Sequence, residues 1–148
     1  MSNYLKKVFT TLAVAVLGMN LASAQQAEQP ARTVPKLNIT WDCGKCTVND
    51  KVVPLVVEAY RAEAARHGVT VSETETVDAK IHDFRQRSPG NRVMFGVMAG
   101  KDRLGITIHY NGEEIVAKDY SANAIEGMNA LCESVGKKAY EQLSAKIK

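Results

Sequence analysis

Two runs of alternating apolar residues joined by Asn111-Gly112 restrict the fold of this chain more than any other feature. Leu104, Ile106, Ile108 and Tyr110 fall on every second position, and Ile115 to Tyr120 runs back after the turn. Both turn residues tolerate the positive φ that a type I′ turn requires. Residues 104–120 therefore predict an antiparallel hairpin with one face in a core. Beyond it, Ile125, Met128, Cys132, Val135, Ala139 and Leu143 recur at spacings of three and four, which predicts a long terminal helix capped by Ser121. Asn129, Glu133, Lys137 and Glu141 occupy its wet side.

The same reasoning orders the rest of the domain. Leu37, Ile39 and Trp41 alternate with Asn38, Thr40 and Asp42, the pattern of a half-buried strand. Cys43-Gly44-Lys45-Cys46 is a turn, and Asn49 or Asp50 caps a helix that tolerates Pro54 in its first turn. That helix buries Val52, Leu55, Val56, Ala59 and Tyr60, then Ala62 or Ala65, and stops at Gly68. Val69 to Val71 begins another strand. Residues 74–87 fit a helical face through Val77, Ile81 and Phe84, or a strand over Ala79 to Arg85, and the strand is favoured. Ser88-Pro89-Gly90-Asn91 reads as a turn, and Val93, Phe95 and Val97 as the alternation of a further strand. The predicted fold is α+β: a two-layer sandwich, with an antiparallel or mixed sheet of four to five strands and two helices on one face.

The amino terminus reads as an export signal. Lys6 and Lys7 precede an apolar run from Val8 to Leu17, and Ala22-Ser23-Ala24 offers a small-residue cleavage pattern before Gln25. The run is too short to span a hydrocarbon core of ~30 Å, which takes about 20 residues. Residues 1–24 are thus expected to be a cleaved signal peptide, 25–35 a flexible leader with two prolines, and 36–148 one α+β domain in a periplasmic or secreted setting. No cysteine sits at the cleavage point, and no stable membrane insertion is expected after cleavage. Cleavage removes Lys6 and Lys7 and no acid, lowering the net charge of +3 by two, to +1. A nearly neutral domain has no basic field for nucleic acid.

Chemistry-bearing residues are few. Cys43-Gly44-Lys45-Cys46 superficially resembles a thioredoxin active site, since a C-x-x-C pair at a helix start lowers the thiolate pKa of its first cysteine. Trp41 and the Tyr110 to Glu113 strand end add to the likeness. Against it, no proline precedes the Leu104 strand and no βα unit precedes the motif. The plainer reading is a structural disulfide in an oxidising compartment. With three cysteines, either Cys43 pairs with Cys46 and Cys132 stays buried and quiet, or one of the first two pairs with Cys132. The second option closes a loop of about 90 residues, for which chain entropy gives ~4–5 kcal/mol. No second ligand pair accompanies Cys43 and Cys46, and His67, His82 and His109 are scattered, so no metal site is expected.

Arg85, Arg87, Arg92 and Lys101 form the other candidate site. Were Ala79 to Arg85 paired with Val93 to Ala99, these cations would gather at one hairpin end and hold an anion or an acidic partner. Turn-flanking charges more commonly stay solvated or pair with neighbours such as Asp83. Asp119 to Ala124 reads as a helix cap. No catalytic residue is assigned: there is no Gly-x-Ser-x-Gly setting or phosphate loop, no cofactor is implied, and the chain reads more as a non-enzyme.

Gly68-Val69-Thr70-Val71, Arg85 to Arg87, Arg92 to Gly96, Gly100-Lys101-Asp102 and Asp119-Tyr120-Ser121-Ala122-Asn123-Ala124 resemble segments of small, mostly uncharacterised bacterial envelope proteins, many of them lipoproteins. Their domain is similar in outline to outer-membrane assembly lipoproteins and to the amino-terminal domain of the Tol system's periplasmic protein. The resemblance implies a non-enzymatic role in envelope binding or assembly, with another envelope protein as partner. Thiol-disulfide exchange at Cys43 and Cys46 is the alternative.

Overall fold

The computed structural model describes residues 32–123 and 127–147. The expected signal peptide, most of the leader, Ala124 and Ile125 lie outside the described residues. Strand β1 spans Thr33–Trp41, helix α1 Val52–Arg66, β2 Thr70–Arg85, α2 Pro89–Phe95, β3 Asp102–Tyr110, β4 Glu113–Ser121 and α3 Met128–Ser144. A single 3-10 turn, Gly96–Ala99, continues α2. The four strands form one mixed sheet in the order β1-β2-β3-β4, with β1 parallel to β2 and the other neighbours antiparallel. Helices α1 and α3 pack against each other and against the sheet, so the molecule is the expected α+β sandwich with two helices on one face.

The β3–β4 hairpin turns at Asn111 (φ 50°) and Gly112 (φ 81°), as a type I′ geometry demands. Residues 70–85 resolve as one long strand. Its inward residues Val77, Ala79 and Ile81 are buried, and a register shift between Ile81 and Asp83 brings Phe84 inward as well. These meet Leu104, Ile106 and Ile108 of β3, and Ile115 and Ala117 of β4. The helices add Val52, Val56, Tyr60 and Ala64 from α1, and Leu131, Cys132, Val135, Ala139 and Leu143 from α3. The Tyr60 hydroxyl donates to Pro35 O at 2.8 Å, and burial, helped by Tyr140, holds the phenol well above its ordinary pKa.

Four expectations need correction. The sheet begins at Thr33, so Thr33 to Pro35 belong to β1 and not to a leader. On α1 the inner stripe continues through Glu63 and Ala64, while Ala62 and Ala65 face solvent. The buried Glu63 carboxylate accepts from Arg66 at 2.8 Å and lies 3.2 Å from His67 Nε2. No strand forms over Val93 to Val97. Ser88 Oγ accepts from Asn91 N at 3.3 Å as a helix cap, and Pro89 occupies the first helical position, where its fixed φ suits a helix. Finally, Ser121 does not cap α3. It ends β4, paired with Asp102, and Gly127 stands at the helix start instead.

Contact between α1 and α3 depends on Gly136. A Cβ there would lie 2.6 Å from both Ala59 Cβ and the Val56 carbonyl oxygen. Backbone cannot yield cheaply at that distance, so Gly136→Ala forces the helices apart and is expected to cost about 1–3 kcal/mol. A urea denaturation midpoint unchanged from wild type would contradict this contact.

Candidate functional site

The end of the sheet where β2 and β4 finish and β3 begins carries most of the singled-out residues. Arg85 faces Arg103 across the β2–β3 ladder, and Asp102 faces Ser121 across β3–β4. Just past β2 the chain turns inward at Arg87, and its side chain and that of Asp102 are 2% and 1% exposed. Asp102 Oδ1 accepts from the Arg87 backbone N–H at 2.6 Å, and Oδ2 from Arg87 Nη2 at 3.2 Å. The same Nη2 donates to the carbonyls of Ser121 (3.3 Å) and Asn123 (3.0 Å). One guanidinium thus ties the exit of β2 to the ends of β3 and β4.

The four cations read as one anion site therefore separate. Arg87 is consumed by Asp102. Arg85 is exposed, donates to Ala99 O at 3.3 Å and lies against Gly100. Lys101 Nζ sits 4.0 Å above the Tyr120 ring, a cation–π contact. Arg92 lies on α2, and its side chain is outside the described residues. Arg103 pairs with Asp83 at 3.5 Å. The site is a rim of spaced cations and not a convergent pocket.

Cys43 and Cys46 form a disulfide across the turn, with Cα atoms 5.6 Å apart, and Cys132 is free and buried. Of the two pairings the sequence allows, the structure has the short ring, with Cys132 apart from it. Helix α1 begins only at Val52, so the motif does not stand at a helix start and the dipole argument for an activated thiolate does not apply. Burial pushes the Cys132 thiol up to about 11, which leaves it protonated and unreactive at neutral pH. Trp41 meets Phe84 edge-to-face at 5.1 Å. A cleft of about 840 Å³ runs between that loop and the exit of β2, lined by Cys46, Val48, Lys51, Phe84, Arg85 and Pro89 among others.

The sheet face away from the helices carries cross-strand polar pairs: Asn38 with Asp78 (2.8 Å), Lys80 with Asp42 (3.2 Å), His82 with Thr107 (2.9 Å) and His109 with Glu114 (3.7 Å). His67 lies elsewhere, stacked on Tyr140. Among the described residues no group of three or more His, Cys, Asp or Glu side chains is placed to hold a metal ion. On the inner side, partial burial works to raise the Asp119 carboxyl, but hydrogen bonds from Ser134, Lys138 and the Tyr120 N–H outweigh it and hold the pKa below the usual carboxylate value. The expected helix cap is thus a β4 carboxylate that clamps α3 to the sheet.

Two features of this region escape a sequence reading. The buried role of Arg87 depends on Asp102 lying 15 residues away. The exposure of Val93 (82%), Met94 (77%), Phe95 (55%) and Met98 (90%) departs from the usual fate of such residues. The signal available for the second was the Ser88-Pro89 helix start.

The chain matches no protein-family model and no curated protein. Among solved structures it is similar to a PelC dodecamer from Paraburkholderia phytofirmans, at 10% identity, with 76% of this chain and 88% of that chain covered and a TM-score of 0.46. A likeness so distant bears on neither family nor function.

Cutting the ion pair on one side leaves a buried charge unmatched, so Asp102→Ala is expected to cost about 3–5 kcal/mol of folding stability. Replacing both partners, Arg87→Met with Asp102→Leu, is expected to cost clearly less. Equal losses in the two variants, read by chemical denaturation, would contradict the burial of this pair.

Proposed function

We propose that the chain is exported through a cleaved leader and works as a non-enzymatic binding or assembly accessory of the cell envelope, periplasmic or secreted. The observation that carries the reading is the one-sided layering. Both long helices cover the same sheet face, which leaves the other as a four-strand platform of cross-strand polar pairs. Antiparallel sheets tolerate such a wet face. This one also exposes Val116 (40%) and Tyr120 (60%) on the edge strand β4, where large side chains gain from being covered. The partner on this reading is another envelope protein that lies across the platform or adds to the β4 edge. The resemblance to envelope proteins and the export pattern of residues 1–24 support the same setting.

Expressed in a bacterial host, the chain is expected in the envelope fraction at the mass that begins with Gln25, with a stoichiometric protein partner retained from envelope extract. Val116→Glu with Tyr120→Glu is expected to release that partner without lowering the denaturation midpoint. Recovery from cytosol with the leader intact, or a partner held equally by the variant, would contradict the proposal.

The second reading, a thiol-disulfide oxidoreductase, draws on the partly exposed Cys43–Cys46 disulfide beside an open cleft. It requires exchange with a model disulfide that disappears in Cys43→Ser. On the binding reading the two proteins are equally inactive.

A further inference from the structure

We propose that the excursion Pro89–Ala99 seats the domain reversibly on an anionic membrane surface. Four large apolar side chains follow one another closely in the chain here, and Val93, Met94 and Met98 are more than three-quarters exposed. Side chains so bare protrude from the surface and do not line a groove. They form a wedge suited to entering a soft apolar layer.

Charge selects the occupant. From Phe84 to Lys101 the chain holds no acidic residue and four basic ones, Arg85, Arg87, Arg92 and Lys101. Asp102 neutralises Arg87 in the interior, whereas Arg85 and Lys101 flank the excursion with contacts to a carbonyl and a ring and, among the described residues, not to a carboxylate. Lys45 and Lys51, with Asp50, line the adjoining cleft. An apolar wedge rimmed by cations complements acyl chains beneath anionic headgroups. A second copy docking tip to tip would bring these cations together, and a protein acceptor would need an apolar groove with an acidic rim.

Chain geometry limits how deeply the domain can sit. No helix among the described residues is long and apolar enough to cross a membrane. Helix α2 is only seven residues long, so the seat is interfacial. The buried Arg87–Asp102 pair anchors the base of the excursion, so the wedge is presented by a rigid sheet end. This inference does not require that the outer sheet face meet a protein.

The test is co-sedimentation of the mature protein, its leader loss verified by mass, with vesicles of phosphatidylcholine alone or mixed equally with phosphatidylglycerol. Binding is expected to the mixed vesicles, weak or absent on the neutral ones, and diminished by salt. Phe95→Asp with Met98→Asp is expected to abolish it. Because each cation near an anionic surface contributes roughly fivefold, Arg85→Gln with Lys101→Gln is expected to weaken it by about 25-fold. Circular dichroism and denaturation midpoints should match wild type, since all four side chains lie at the surface. The inference is overturned if wild type ignores mixed vesicles or if the Phe95/Met98 variant binds them equally. It is also overturned if, without vesicle binding, those substitutions abolish self-association or capture of an envelope protein instead.

Discussion

The ion pair between Arg87 and Asp102 determines how one end of this molecule is built. At that point β2 has ended, β3 begins with Asp102 and β4 ends with Ser121, so three chain segments need their backbone groups satisfied together. A guanidinium carries five donors in a fixed fork, and here it serves one carboxylate and two carbonyls at once. Two charges taken out of water are costly unless each has its partner, so the geometry is tightly specified even though the pair adds little net stability over apolar residues. What projects beyond it, from Ser88 to Lys101, is free to be exposed because its two ends are held.

The second organising fact is that α1 and α3 approach closely enough to share one sheet face. Gly136 permits the approach, and Tyr60 reaches under the helices to hydrogen-bond β1 at Pro35. With both long helices on that side, the apolar surface of the sheet is satisfied there. The other side is left to cross-strand polar pairs, which suit water or a polar partner. The uneven distribution of exposed apolar groups, with Val116 and Tyr120 on β4 and a wedge at the sheet end, follows from this layering.

Legibility in the sequence followed the range of the forces involved. Signals acting within a few residues were readable: the Asn111-Gly112 turn, the alternation from Leu37 to Trp41, and the three-four spacing that runs from Met128 to Leu143. Partners far apart in the chain were not. Nothing local marks β1 as parallel to β2, and nothing near Arg87 distinguishes it from Arg85, although one is buried and the other exposed. Gly136 resembles a helix-weakening residue until Val56 and Ala59 of another helix are placed beside it. At residues 93–97 two local signals competed: period-two alternation suggested a strand, but the Ser88-Pro89 helix start prevailed, and β3 is the antiparallel neighbour of β2. The cysteines belong with the local signals: residues three apart can pair within a turn, and the place of Cys132 on the apolar stripe of α3 already marks it as buried.

A buried pair that holds the sheet end, with an apolar excursion standing beyond it, is the claim from which the contact roles follow. Native-state hydrogen exchange of the mature protein, resolved by residue, tests it most directly. The Arg87 amide, which donates to Asp102, is expected to exchange as slowly as the core amides of Ile81 and Ile106, through global unfolding alone. An Arg87 amide that exchanges as fast as those of exposed loop residues would mean that the pair opens freely in the native state, and would contradict the account.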